Sequence, residues 1–225
     1  QRDIDDIRAF ISDRSSEGKD TRKIIYDRGK KGFVMLGEEA TLLSNSEMLA
    51  ISKILLGSRA FTKKEISSIL DKVISGCVSK SNLKLVSDLI LNEKYHYVEL
   101  RHKSVIKDKL WELGENIEQC ELLEIVYEKQ VSSKEIVKRI VEPVAVLFSE
   151  YYFYLNAFIV EQDGNGKYVH IFDYPTVFRI DRIKKYKRIG IKFKIPYANR
   201  FEEGEFRKKV QFMYAGKLQR CRFRY

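Results

Sequence analysis

Ile4, Ile7, Phe10 and Ile11 recur every three to four residues in QRDIDDIRAFISD, the period of one face of an α-helix. The spacing predicts an amphipathic helix, read as the end of a longer one. Two β-rich runs, residues 24–26 and 33–36, flank DRGKKG and predict a hairpin with a basic tip. Helical spacing then returns. Ser44 with Glu47, and Thr62 with Glu65, have the spacing of a capping box. The first precedes Met48, Ile51 and Leu55, the second Ile66, Ile69, Leu70 and Val73. Asn82 is expected to cap a third helix carrying Leu83, Val86, Leu89 and Ile90. A fourth is expected to start near Ser104, with Ile106, Leu110, Leu113 and Ile117 inward. No proline interrupts residues 1 to 142.

From residue 122 the period changes to two. LLEIVYE, EIVKRIVE, YYFYLNAFIVE, KYVHIFD and TVFRIDRI read as strands, and QDGNGK between two of them is a strong turn signal. Short strands joined by tight turns predict a small barrel. After IKFKIPY come a basic segment, a strand VQFMY, a turn AGK and a strand QRCRFRY. Along 151–160 the alternation puts Phe153, Leu155, Ala157 and Ile159 on a wholly apolar face, expected to be core. Tyr152, Tyr154, Asn156 and Phe158 share the other face, expected to be a surface. In TVFRIDRI the same parity aligns Phe178, Ile180 and Arg182, and turns Arg179 and Asp181 the opposite way.

Charge sharpens this picture. The chain has 225 residues and a net charge of +10. Residues 177–225 carry 16 Lys and Arg against four acids, a net of +12, which leaves −2 on the other 176. A basic block threaded with Phe, Tyr and Ile attracts polyanions. Chemistry of other kinds finds little support. Cys77, Cys120 and Cys221 lack zinc-like spacing and imply free thiols in a reducing cytoplasm. His96, His102 and His170 have no nucleophile motif beside them, and no phosphate-binding glycine motif is present. No metal, no cofactor and no catalysis are therefore expected. No apolar run reaches the roughly 20 residues of a membrane span, and no signal peptide is seen.

FYL at 153–155, the strand KRIVEP at 138–143 before it and FRIDRI at 178–183 after it together resemble the WYL domain of bacterial transcriptional regulators. Phe153 stands where the family has Trp; Tyr154 and Leu155 match, as do Tyr127 on the first strand and Arg139 ahead of Pro143. QRDIDDIR resembles the close of a recognition helix, YDRGKKGFVML the wing of a winged helix-turn-helix, and the tail from about 205 the start of the family's C-terminal extension. The resemblance spans essentially the whole chain and implies truncation at both ends.

It implies an α+β protein in four parts. These are a partial winged helix-turn-helix (1–40), a helical linker (41–120), a WYL Sm/SH3-like barrel (121–190) and the start of an α/β C-terminal extension (191–225). It implies a cytoplasmic, homodimeric, ligand-responsive regulator that binds a double-stranded DNA operator. The ligand would be a nucleotide or short single-stranded nucleic acid. The implied ligand-binding residues are Tyr127, Arg139, Tyr152, Tyr154, Arg179 and Arg182. Aromatic faces stack bases and arginine forks hold phosphates. The implied DNA contacts are Arg2, Arg8, Arg28, Lys30 and Lys31. A constitutive nucleic-acid-binding module and a pure dimerisation module are the alternatives.

Overall fold

The computed structural model describes residues 2–16, 23–29, 31–36, 43–102, 104–129, 135–195, 201–210, 213–214, 216–217 and 219–224. The chain divides into two compact units. One holds Gln1–Gly57 and Ile66–Tyr97, the other Ser58–Glu65 and Val98–Tyr225.

The first unit opens with helix α1 (Arg2–Ser16) and an antiparallel hairpin, β1 (Lys23–Asp27) and β2 (Gly32–Leu36), in which Tyr26 faces Phe33. The expected hairpin is present. Arg8 of α1 donates to the Ile24 carbonyl at 3.5 Å and lies 5.0 Å over the Phe33 ring. Three helices follow, α2 (Asn45–Ser58), α3 (Lys63–Cys77) and α4 (Leu83–Tyr95), of which Ser58 and the first turn of α3, Lys63–Glu65, count with the second unit. Each buries a stripe of period about four: Met48, Ser52 and Leu56; Ile66, Leu70 and Ile74; Val86 and Ile90. Such a stripe hides one side of a helix and leaves the rest to water. Leu89, expected inward, is exposed. The Ser44–Glu47 capping box forms as its spacing predicts. The Glu47 N–H donates to Ser44 Oγ at 3.3 Å, and the Glu47 carboxylate accepts from the Ser44 N–H at 2.8 Å. Asn82 differs from expectation. Its side chain makes no cap hydrogen bond, and its backbone lies in the helical region.

The second unit is built around helix α5 (Lys107–Glu118) and a six-stranded antiparallel sheet of β3 (Glu121–Glu128), β4 (Ile136–Ser149), β5 (Tyr152–Gln162), β6 (Tyr168–His170), β7 (Thr176–Arg179) and β8 (Ile183–Lys192). The strand order is β6-β5-β4-β3-β8, with β7 also paired to β5. Helix α5 starts three residues later than the sequence suggests, because its cap is not local. Glu65 accepts from the backbone N–H groups of Ile106 (3.1 Å) and Lys107 (3.2 Å) through one oxygen. Its other oxygen accepts from the Thr62 N–H (3.1 Å) and hydroxyl (2.8 Å) in the second capping box. One carboxylate thus closes the N-termini of α3 and α5, where unpaired N–H groups favour negative charge.

The core lies between α5 and the sheet. Leu113 of α5 packs with Leu123, Ile125, Val141, Leu155, Ala157 and Phe178. The sheet is curled without closing into the expected small barrel: among the described residues β8 pairs only with β3. The curl follows from chain length. β7 and β8 sit at opposite edges, four strand spacings apart, roughly 19 Å on a flat sheet. A single three-residue 3-10 turn, Ile180–Arg182, joins them, and four residue steps reach at most roughly 14 Å. The edges must therefore bend toward each other. The turn at 163–167 closes β5 onto β6 as expected. Asp163 Oδ1 accepts from the Asn165 and Lys167 N–H groups, and Gly166 takes φ +79°, where a side chain would be strained.

Two C-terminal expectations fail. The described parts of VQFMY and QRCRFRY form no strand. A short helix, α6 (Glu203–Lys209), stands in the basic segment instead.

Candidate ligand cavity of the sheet

The pairing of β5 with β7 fixes which groups meet. Tyr154 lies opposite Arg179, Leu155 opposite Phe178, and Asn156 opposite Val177. Directly opposed residues point to the same side of a sheet. Leu155 and Phe178 therefore go into the core, both buried. Tyr154 and Arg179 go to the other side, where a cavity of about 490 Å³ opens. Its walls include Tyr127, Tyr154, Phe172 and Tyr174, with Arg179 and Arg182 between them; Tyr214 adds a further ring. The volume falls within the range typical of small-molecule sites.

This side is not the open surface that alternation predicts. Tyr154 is only 8% exposed and Asn156 is fully buried. Both sides of β5 are covered, because the bend that brings the sheet edges together encloses the polar side as well. Neither the Asn156 amide oxygen nor its nitrogen has a hydrogen-bond partner among the described residues. Burial raises the pKa of the Tyr154 hydroxyl above its ordinary value, and the nearby Arg179 guanidinium only partly counters this.

Arg179 is held on several sides. Its Nε and Nη2 donate to the two carboxylate oxygens of Asp181 at 3.1 and 2.8 Å. Its guanidinium carbon sits 3.4 Å from the centroid of the Tyr152 ring, a cation–π stack. Its backbone N–H donates to the Tyr127 hydroxyl at 3.3 Å. Burial disfavours the charge, but Asp181's hydrogen bonds and negative charge outweigh it, so the Arg179 pKa is raised. Asp181, a buried carboxylate, was not among the residues singled out by sequence. Strand parity puts it on the same side as Arg179 two residues earlier, but the alternation alone does not show that it is buried and paired.

The same parity misplaces Arg182. Alternation groups it with the core residues Phe178 and Ile180, yet it lines the cavity beside Arg179. The strand ends at Arg179, and the 3-10 turn that follows breaks the two-residue period. The turn is fastened on several sides. Ser104 Oγ donates to the Asp181 carbonyl at 3.4 Å, and Lys109 Nζ to the Ile183 carbonyl at 2.8 Å. Burial lowers the Lys109 pKa, partly offset by Asp181. Nearby, His102 Nδ1 accepts from the Ser104 N–H at 2.9 Å, and its buried Nε2 has no partner among the described residues. Burial lowers the His102 pKa, with Asp181 pulling the other way.

Of the six ligand-site residues expected from sequence, four line this cavity: Tyr127, Tyr154, Arg179 and Arg182. Tyr152 joins indirectly, as the platform under Arg179. Arg139 lies elsewhere, opposite Ile125 on β4. It lines a separate groove of about 360 Å³ with Glu124, Lys138 and Glu161, and donates to the Lys138 carbonyl at 3.2 Å. Among the described residues no cluster of three His, Cys, Asp or Glu could hold a metal ion. Within them no helix is long and apolar enough to cross a membrane.

The model of the WYL domain family matches residues 108–188. The chain carries a WYL domain. The match takes in α5 and every strand of the WYL-domain sheet down to Arg188 of β8, and so contains nearly all of the cavity wall. No curated protein matches the chain. Among solved structures, proteasome accessory factor B/C (PafBC) of Arthrobacter aurescens is similar at 14% identity and a TM-score of 0.30. That likeness covers 75% of this chain, which spans only 24% of the PafBC chain.

In the first unit, the residues expected to touch DNA divide. Arg28 and Lys31 are exposed at the hairpin tip, with Lys31 at φ +48°. Arg8 is engaged within the unit, by Ile24, by Phe33 and by Asp5 at 3.6 Å. Arg2 is the first residue of α1. Lys30 lies outside the described residues.

Proposed function

We propose that this chain is the sensing part of a ligand-responsive transcriptional regulator, and that the WYL-domain cavity takes a nucleotide or a short single-stranded nucleic acid. The observation that carries the reading is one open cavity walled by aromatic rings with two arginines in it. Base-on-aromatic stacking contributes about 1–3 kcal/mol per base and tolerates any base. A guanidinium beside the rings supplies charge-assisted bonds to phosphate. α1 and the hairpin of the first unit support reading them as the closing turns and wing of a DNA-binding domain, in which the exposed Arg28 and Lys31 would touch phosphate, contacts that position a protein on DNA without reading its sequence. Homodimerisation of the intact regulator belongs to the same reading, since paired half-sites favour two-fold symmetry.

The deciding experiment is mass spectrometry of nucleotides and oligonucleotides that co-purify with the protein, followed by titration calorimetry with the species found. The reading expects a bound nucleotide or single strand that Tyr154→Phe retains and Arg182→Gln loses. A protein that co-purifies with none, and binds neither mononucleotides nor short single strands, overturns it.

A further inference from the structure

We propose that Arg182 alone supplies the net positive charge for a phosphate in the cavity, and that Arg179 is a positioning residue whose pair with Asp181 sets the turn presenting Arg182. The proposal rests on the sensing role argued above and divides labour between two arginines that sequence cannot separate.

The first ground is charge. Arg179 and Asp181 form a bidentate pair at 2.8–3.1 Å, and their side chains are 18% and 3% exposed. The pair has no net charge. An incoming phosphate that borrowed the remaining Nη1 hydrogens of Arg179 would meet the buried Asp181 carboxylate close behind. Arg182 has no carboxylate within ion-pair distance among the described residues, and it faces the same cavity.

The second ground is geometry. Arg179 and Asp181 bracket the start of the Ile180–Arg182 turn, so their side-chain bridge closes a short loop over it. Tyr127, Ser104 and Lys109 hold the backbone at residue 179, at residue 181 and at residue 183. The backbone on either side of Arg182 is thus tied down, while its own side chain has no ionic partner among the described residues. This is how a scaffold prepares one ligand group rather than two. The flat side of Arg179 is stacked on Tyr152, which further removes it from the ligand.

Two measurements test this. The first needs no ligand: the protein is treated with phenylglyoxal, which modifies accessible guanidinium groups, and sites are mapped by peptide mass spectrometry. Arg182 should label readily and Arg179 slowly, and Asp181→Asn should make Arg179 label faster. Equal labelling of the two arginines in the unmodified protein overturns the assignment. The second follows binding of a short oligothymidylate by fluorescence anisotropy across a salt series. Arg182→Gln should weaken binding about 10- to 100-fold, the range of a charged hydrogen bond, and make the log–log salt slope shallower by about 0.7, one phosphate on a single strand. Arg179→Gln should weaken binding with the slope unchanged, and Arg179→Lys should not restore it, because lysine cannot make the bidentate bridge. A slope loss in Arg179→Gln equal to that in Arg182→Gln sinks the proposal. If the parent protein binds no oligonucleotide, the sensing role fails, while the labelling pattern still decides which arginine is free.

Discussion

Two basic places on the same sheet behave differently. In the cavity beside β5 and β7, one arginine is locked to a buried carboxylate and stacked on a ring, and its neighbour Arg182 has no ionic partner among the described residues. In the groove on β4, the Arg139 side chain hydrogen-bonds only the Lys138 carbonyl among the described residues, and the nearby charges, Lys138 and Glu124, pair with each other at 2.7 Å. The contrast teaches that a positive charge in a cleft is not by itself a site. What distinguishes the cavity is that surrounding groups have been spent on holding the scaffold, and buried polar atoms make errors there costly. In the groove the charges face water, where exposed pairs contribute little.

The sharpest way to break this contrast is to remove the buried partner. Asp181→Ala leaves Arg179 buried and unpaired, and should cost about 3 kcal/mol or more; Arg139→Ala should stay within about 0.5 kcal/mol of the parent. Urea denaturation measures both, and equal effects would erase the distinction. Next comes Tyr154. As a buried ring it should lose about 3 kcal/mol on replacement by Ala, so Tyr154→Ala cannot separate binding from folding. Tyr154→Phe keeps the ring and should retain most of the stability and the stacking, which thermal melts alongside ligand titration would show.

A smaller effect probes the helix caps. Glu65→Ala removes caps from α3 and α5 together and should cost about 2 kcal/mol, roughly twice a single lost cap. Ser44→Ala, which removes one cap in the other unit, should cost about 1 kcal/mol. Denaturation midpoints that rank these two in the reverse order would contradict the double cap.

The smallest expected effect is a dependence on pH. Burial depresses the His102 pKa below its ordinary 6.5. A depressed histidine contributes stability that is present above the unfolded pKa and is lost as pH falls through the folded one. The WYL domain should therefore weaken as pH drops below about 6.5, and His102→Gln should flatten that part of the profile. Melting temperatures from pH 7.5 to 5 check this; a profile unaltered by the substitution removes His102 from the account.

Much of the fold is legible from local pattern. The change of period near residue 120, the capping boxes at Ser44 and Thr62 and the turns at 27–32 and 163–167 each depend on neighbours a few residues apart. So does the resemblance carried by FYL and FRIDRI, and residues 108–188 match the WYL domain family. The late start of α5 was not legible, because its cap comes from Glu65, more than 40 residues away. Nor were the expected C-terminal strands secure: a β-rich run becomes a strand only where a partner strand offers its hydrogen bonds.

By itself the sequence determined the alternation that buries Leu155 and Ala157, and the supply of aromatic and arginine side chains on β5 and just after β7. Only the tertiary structure decided what those side chains do. The chain crosses between the sheet's two edges in three residues, so the sheet curls and covers the side of β5 that alternation leaves to solvent, burying Tyr154 and Asn156. The same crossing is made by a 3-10 turn, which abolishes the two-residue period at Arg179. Arg182 is thereby swung out of the core series and into the cavity, while Asp181 is brought within 2.8 Å of Arg179. Periodicity reports the face of a regular element, and it carries no information across the point where that element ends.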